Sequence, residues 1–204
     1  MSALWLDPPF NMIVSGQTNS GKTHSVLDLL ETTYRGKFNT IVIFCPTFLE
    51  NKTYNRLFVL KDPNVVVLPP EAVHTSLDVL LAFCAKVYGS PESNTLFLID
   101  DCANLRDTKV KSSALTQLAF SGRHLNISVW CLTQKYNAVV KDFRENLRML
   151  VLYHQKDEDG LRDALRENNI VPKDAREAVV SELKDRKRAH LVMRLEFPFK
   201  YEVH

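Results

Sequence analysis

Met12, Ile13 and Val14 run straight into the polar stretch 16–24, GQTNSGKTH, and apolar spacing resumes directly after it at Val26, Leu27, Leu29 and Leu30. A strand, a glycine-bearing turn and a helix in that order leave the first amides of the helix unpaired at its positive end, where they converge on an anion. The spacing Gly16, four residues, Gly21, Lys22, Thr23 matches the P-loop pattern. In that pattern glycines let the backbone wrap closely round phosphates, the lysine reaches the terminal ones, and the hydroxyl ligates magnesium. The expected phosphate cradle is therefore Gly16, Gln17, Thr18, Asn19, Ser20, Gly21, Lys22, Thr23 and His24.

Such a loop needs a sheet beneath it. Short apolar runs recur at 11–15, 40–45, 65–68, 95–100, 127–133, 149–153 and 190–195, and helical periodicity fills most of the intervals. That alternation predicts an α/β fold, a mostly parallel sheet covered by helices. Leu77, Leu80, Leu81, Cys84, Ala85 and Tyr88 share one helical face, as do Val110, Ala114, Leu115, Leu118 and Ala119. Residues 157–168 read as a polar surface helix, and Pro172 opens a further one ending near Lys184. Beyond it, HLVMRLEF and FKYEV around Pro198 suggest a terminal strand pair or a bent strand at the sheet edge.

A chain of 204 residues suits one domain. With 45% hydrophobic and 25% charged residues it is not a wholly disordered polymer. No apolar run approaches the roughly 18 residues of a membrane span, and the start MSALWLDPPF lacks the pattern of a signal peptide, so the expected setting is intracellular and soluble. A net charge of +2 neither demands nor excludes a polyanionic partner. Cys45, Cys84, Cys102 and Cys131 contain no CxxC pair and read as reduced, mostly buried thiols, and the six histidines are scattered.

A P-loop alone binds phosphate. Hydrolysis also requires a place for the metal and for the attacking water, and TLFLIDD supplies a candidate. In open parallel sheets the ligand lies beyond the carboxyl ends of the strands. Asp100 then holds Mg2+, directly or through water, and Asp101 orients or deprotonates the water. SVWCLTQ is a second buried strand, ending in Thr133 and Gln134. The Gln134 amide suits a sensor of the γ-phosphate, since it hydrogen-bonds without adding charge.

The stretch 16–23, the pair Asp100 and Asp101, and GRHLNISVWCLTQ, with Arg123 eleven residues before Gln134, together resemble the FtsK/HerA group of DNA-pumping ATPases. Within that group the chain is most similar to the genome-packaging ATPases of poxviruses, related large DNA viruses and virus-like transposons. DPPFNMIVSG and RENLRMLVLY, with Asn146 and Arg148 before a strand, fit the same resemblance. It implies a RecA-like core of central strand order 5-1-4-3-2 with helices on both faces and extra C-terminal edge strands. It also implies ATP and Mg2+ as cofactors, and a homo-oligomeric ring, pentamer or hexamer, around double-stranded DNA. Capsid or portal-type proteins are the implied docking partners, and the virion or the viral assembly site the implied location. Lys22 and Thr23, Asp100 and Asp101, and Gln134 take the family's phosphate, metal, water and sensor roles. Many relatives carry Asp-Glu where this chain has Asp-Asp, which shortens the reach of Asp101 by one methylene. For the arginine finger entering a neighbouring site, Arg123 is the first candidate, Arg148 the second and Arg144 the third.

Lys109, Lys111, Lys135, Lys141, Lys184, Arg186, Lys187 and Arg188 are candidate contacts to a DNA backbone. Trp5, Phe10 and Tyr136 are candidates to stack on a base, with nothing in the spacing to choose among them. Two rival functions stay open: a P-loop kinase of a small metabolite, with RDALREN or KDRKR as a lid, and a nucleotide-dependent assembly factor that moves no DNA. A GTPase lacks support, because Asn51 and Lys52 continue as Thr53 and Tyr54 rather than completing NKxD.

Overall fold

A computed structural model describes residues 4–59, 63–102 and 113–204. The polar stretch after β1 (Asn11–Ser15) leads into α1 (Lys22–Glu31). Next come β2 (Thr40–Phe44), a 3-10 segment (Lys52–Val59) and β3 (Asn64–Val67). Then α2 (Pro70–Tyr88), β4 (Thr95–Asp100), α3 (Ala114–Ser121) and β5 (Ile127–Thr133) follow. The chain ends with α4 (Lys141–Glu145), β6 (Met149–Tyr153), α5 (Glu158–Asn168), α6 (Arg176–Asp185), β7 (His190–Arg194) and β8 (Lys200–Val203).

The eight strands form one sheet in the order β3-β2-β4-β5-β1-β6-β7-β8. All pairs from β3 to β6 are parallel, whereas β6 with β7 and β7 with β8 are antiparallel. The expected central order holds once β3 is left outside the count, because β6-β1-β5-β4-β2 is then 5-1-4-3-2. The C-terminal residues form the strand pair rather than a single bent strand.

Strict alternation along the central strands explains why both faces are covered. Ile13, Phe97, Ile99 and Val129 point into a core shared with α2, α3, α5 and α6. Met12, Val14, Leu96, Leu98 and Trp130 point the other way, toward α1 and the N-terminal segment. There the Trp130 ring meets Phe10, Tyr34 and Phe38 at centroid distances of 5.5, 5.1 and 5.6 Å. The α5 helix lies where a polar surface helix is expected, and it buries one face: Leu161, Ala164 and Leu165 enter the core, because three apolar residues at helical spacing suffice to seat an otherwise charged helix. The second predicted apolar stripe begins at Ala114, and its member Val110 lies outside the described residues. All four cysteines are buried and free. Among the described residues no helix is long and apolar enough to cross a membrane.

Candidate functional site

The loop after β1 leaves the sheet between two neighbours. Gly16 N–H donates to the carbonyl of Thr133 at the end of β5 (3.1 Å), and Gln17 N–H to that of His154 after β6 (3.3 Å). Its two glycines are needed for different reasons. A Cβ at Gly16 would lie 2.5 Å from Tyr153 Cβ and 2.9 Å from Ser20 Oγ, so only glycine lets the loop pass over β6. Gly21 has φ +105°, a left-handed conformation that glycine adopts without strain.

From Gly21 the chain turns into α1, whose N-terminus carries no side-chain cap and no acidic residue in its first turn. By contrast α5 is capped by Asp157 and opens with Glu158 and Asp159. Uncapped amides without a local carboxylate are what an anion site requires. Ser20 Oγ, buried beside them with no hydrogen-bond partner among the described residues, is a further donor for phosphate oxygen. The loop therefore fits a phosphate chain.

Lys22 and Thr23 lie at the end of the loop that faces β4. The Lys22 Nζ donates to the carbonyls of Gly16 (2.7 Å) and Gln17 (3.0 Å). Burial pulls this ammonium below its ordinary pKa, against the opposing influence of Asp100 and Asp101. Thr23 Oγ1 donates to Asp100 Oδ2 (3.2 Å), and the same oxygen accepts from Tyr54 Oη at 2.6 Å. Asp100 is 3% exposed, and burial pushes its carboxyl up despite the Tyr54 hydrogen bond. A buried carboxylate beside a buried ammonium is costly in both partners until a cation and a polyphosphate compensate them. A hydroxyl and a carboxylate oxygen side by side make a hard-oxygen donor set that fits Mg2+.

Asp101 is exposed and holds φ +54°, the left-handed region that aspartate tolerates. Its Oδ1 accepts from Gln134 Nε2 at 3.5 Å, so the ends of β4 and β5 bring the Asp101 carboxylate and the Gln134 amide together. His24 lines the same groove as Asn19 to Thr23, and its ring also meets Arg56 (3.1 Å) and Asp28 (3.5 Å). Tyr54 escapes a reading along the chain because it lies 46 residues from the carboxylate that it holds. Its 3-10 segment is clamped to α1 by Arg56, which pairs with Asp28 and Glu31.

The arginines lie elsewhere. Arg123 and Arg148 line a cavity of about 420 Å³ with Pro9, Asn11, Asn146 and Glu196, at the starting end of β1. Five strand residues, a rise of roughly 16 Å, separate that end from the loop. Arg148 is bound to Glu196 and to the Pro9 carbonyl (2.9 Å). Arg144 pairs with Glu167 (2.6 Å) and lies over the Tyr136 ring (4.9 Å). Arg123 is exposed, and its guanidinium has no hydrogen bond or ion pair among the described residues.

Of the candidate DNA-contacting cations, Lys141 pairs with Glu145, Lys184 with Glu158 and Arg186 with Glu182. Lys109 and Lys111 lie outside the described residues. The three candidate base-stacking rings are also placed away from the loop. Phe10 and Tyr136 are buried, Trp5 packs edge-on against Tyr34, and none lines the groove beside the phosphate cradle.

The genome packaging NTPase B204 from Sulfolobus turreted icosahedral virus 2, in complex with sulfate, matches this structure with a TM-score of 0.68 at 16% identity, covering 98% of this chain and 97% of that one. At that identity the likeness is one of fold. The DNA packaging protein OPG160 of Monkeypox virus is 28% identical over 138 residues, 66% of this chain and 44% of its own length. Its Vaccinia virus (strain Copenhagen) counterpart is 28% identical over the same span, with 49% of its length covered. The chain thus spans about half the length of the curated relatives it matches. A family model described as Poxvirus A32 protein matches residues 3–196, nearly the whole sequence, and the chain belongs to that family.

Proposed function

We propose that the chain is an ATP-hydrolysing motor that moves double-stranded DNA, packaging a viral or virus-like genome into a capsid. The observation that carries this reading is the convergence of Lys22, Thr23 and the buried Asp100 at one end of an uncapped helix, with Asp101 and Gln134 paired beside them. Membership of the Poxvirus A32 protein family and similarity to DNA packaging proteins support DNA movement as the work to which hydrolysis is coupled.

In this account the loop amides and Lys22 bind the phosphates of ATP. Thr23 and Asp100 hold Mg2+, which when bound neutralises charge on the terminal phosphates. Tyr54 keeps Asp100 turned toward that position. Asp101 accepts the proton of the attacking water, and the Gln134 amide orients the same water or a γ-phosphate oxygen. Arg123 lies too far from its own loop to assist, so a neighbouring subunit of a ring would receive it. Double-stranded DNA passes through that ring, and capsid or portal-type proteins anchor it at the assembly site.

The test is the rate of ATP hydrolysis with and without double-stranded DNA across a salt series. DNA is expected to stimulate turnover at low salt. The effect should weaken by orders of magnitude at moderate salt, because each phosphate contact releases a counterion. A rate indifferent to DNA at every salt concentration would favour the assembly factor, and a requirement for a metabolite acceptor the kinase.

A further inference from the structure

The groove beside the loop has a volume of about 670 Å³, and its lining includes Tyr153, Arg188 and His190. These residues come from the end of β6 and the start of β7, on the side of β1 away from Asp100. Strand order fixes which end of a nucleotide reaches them. Lys22, Thr23 and Asp100 draw the terminal phosphates toward β4, so the α-phosphate and nucleoside leave toward β6 and β7.

We infer that Arg188 and His190 form the nucleoside subsite and that the edge of the His190 ring selects adenine over guanine; this rests on reading the loop as a nucleotide site. Both faces of His190 are covered. Tyr153 stacks on one at 4.9 Å and His204 on the other at 5.4 Å, so the ring offers the groove its edge alone. Its Nδ1 lies 3.2 Å from the Arg188 carbonyl, which can only accept, so Nδ1 carries the proton and Nε2 keeps a lone pair. Burial lowers the His190 pKa, which favours that neutral form. A lone pair at the groove accepts from the exocyclic amine of adenine and faces the carbonyl oxygen of guanine unfavourably.

The ladder is tied to the cradle, since the Tyr153 hydroxyl hydrogen-bonds Ser25 on α1. Arg188 adds a cation to the same lining. Its backbone holds φ +65°, a left-handed conformation uncommon for a residue with a side chain, and no partner for its guanidinium is found among the described residues.

Equilibrium binding of ATP, GTP and inorganic tripolyphosphate, each with Mg2+, tests the assignment on the full chain. Wild type should prefer ATP to GTP. His190→Ala should weaken ATP about tenfold, bring the two nucleotides level, and leave tripolyphosphate within roughly twofold. Parallel loss of ATP and tripolyphosphate, an unchanged ATP affinity, or a wild type blind to the base would each overturn it. Should the alanine variant not fold, His190→Gln decides. Its amide can turn to either base, so ATP binding should persist while discrimination is lost, and retained discrimination refutes the edge-reading role. Lys22→Ala should weaken all three ligands; if it weakens none, the loop is not a phosphate site, an outcome separate from any result at His190.

Discussion

Lys22→Ala is expected to reduce ATP turnover to background while the protein stays folded. Lys22 is 7% exposed, and its ammonium donates to the loop carbonyls of Gly16 and Gln17. It packs in no apolar core, so its removal exposes two carbonyls to water entering the groove. A stability change within about 3 kcal/mol is the expected cost. The chemical loss is far larger, because no other cation of the described residues lies at the end of the loop facing Asp100. Turnover is measured together with the thermal midpoint. Turnover near the wild-type rate in a folded protein would refute the loop assignment. Asp101→Asn is the companion variant: the amide keeps the shape but accepts no proton, so ATP should still bind while hydrolysis stops.

Arg123→Ala should match Lys22→Ala in its effect on rate yet differ in being rescued by it. An arginine finger supplied in trans is worth roughly 10³ to 10⁵ in rate. Arg123 lies at the starting end of β1, exposed, and cannot reach its own loop. Each variant alone lacks half of every site. A mixed ring places an intact loop beside an intact arginine, so mixing the two inactive proteins should restore part of the activity. Arg148→Ala is run alongside. Its guanidinium is engaged with Glu196 and Pro9, where it joins β6 to the N-terminal segment and the end of β7, so its loss should lower stability instead of complementing. Complementation by Arg148→Ala and not by Arg123→Ala would reassign the finger. Absence of recovery from both mixtures, with mixed rings demonstrably formed, would mean a site completed within one subunit.

The features legible in the sequence are those written in contiguous residues. The glycine-bearing loop, the strand carrying Asp100 and Asp101, and the strand ending before Gln134 each occupy one short stretch, and each reads through local spacing. Their assembly at one end of the sheet follows from the rule for parallel strands. What the sequence hides depends on which strands lie side by side. Tyr54 reaches Asp100 only because β2 adjoins β4, and His190 stacks on Tyr153 only through the antiparallel register of β6 and β7. Neither contact leaves a spacing signal. The same limit explains the misplaced ring candidates: Phe10 is drawn into the Trp130 cluster and Tyr136 into a pocket with Arg144 and Glu167. Basic residues are the hardest to read one at a time. Lys184 and Arg186 resemble a nucleic-acid patch in sequence, but each has an acidic partner in the fold.

The central claim is that ATP hydrolysis at this site drives movement along DNA, and displacement of a triplex-forming oligonucleotide from double-stranded DNA measures that movement directly. The account predicts displacement with ATP and Mg2+, none with a non-hydrolysable analogue, and none for Lys22→Ala. Sustained ATP turnover on the same DNA with the third strand left in place would contradict it.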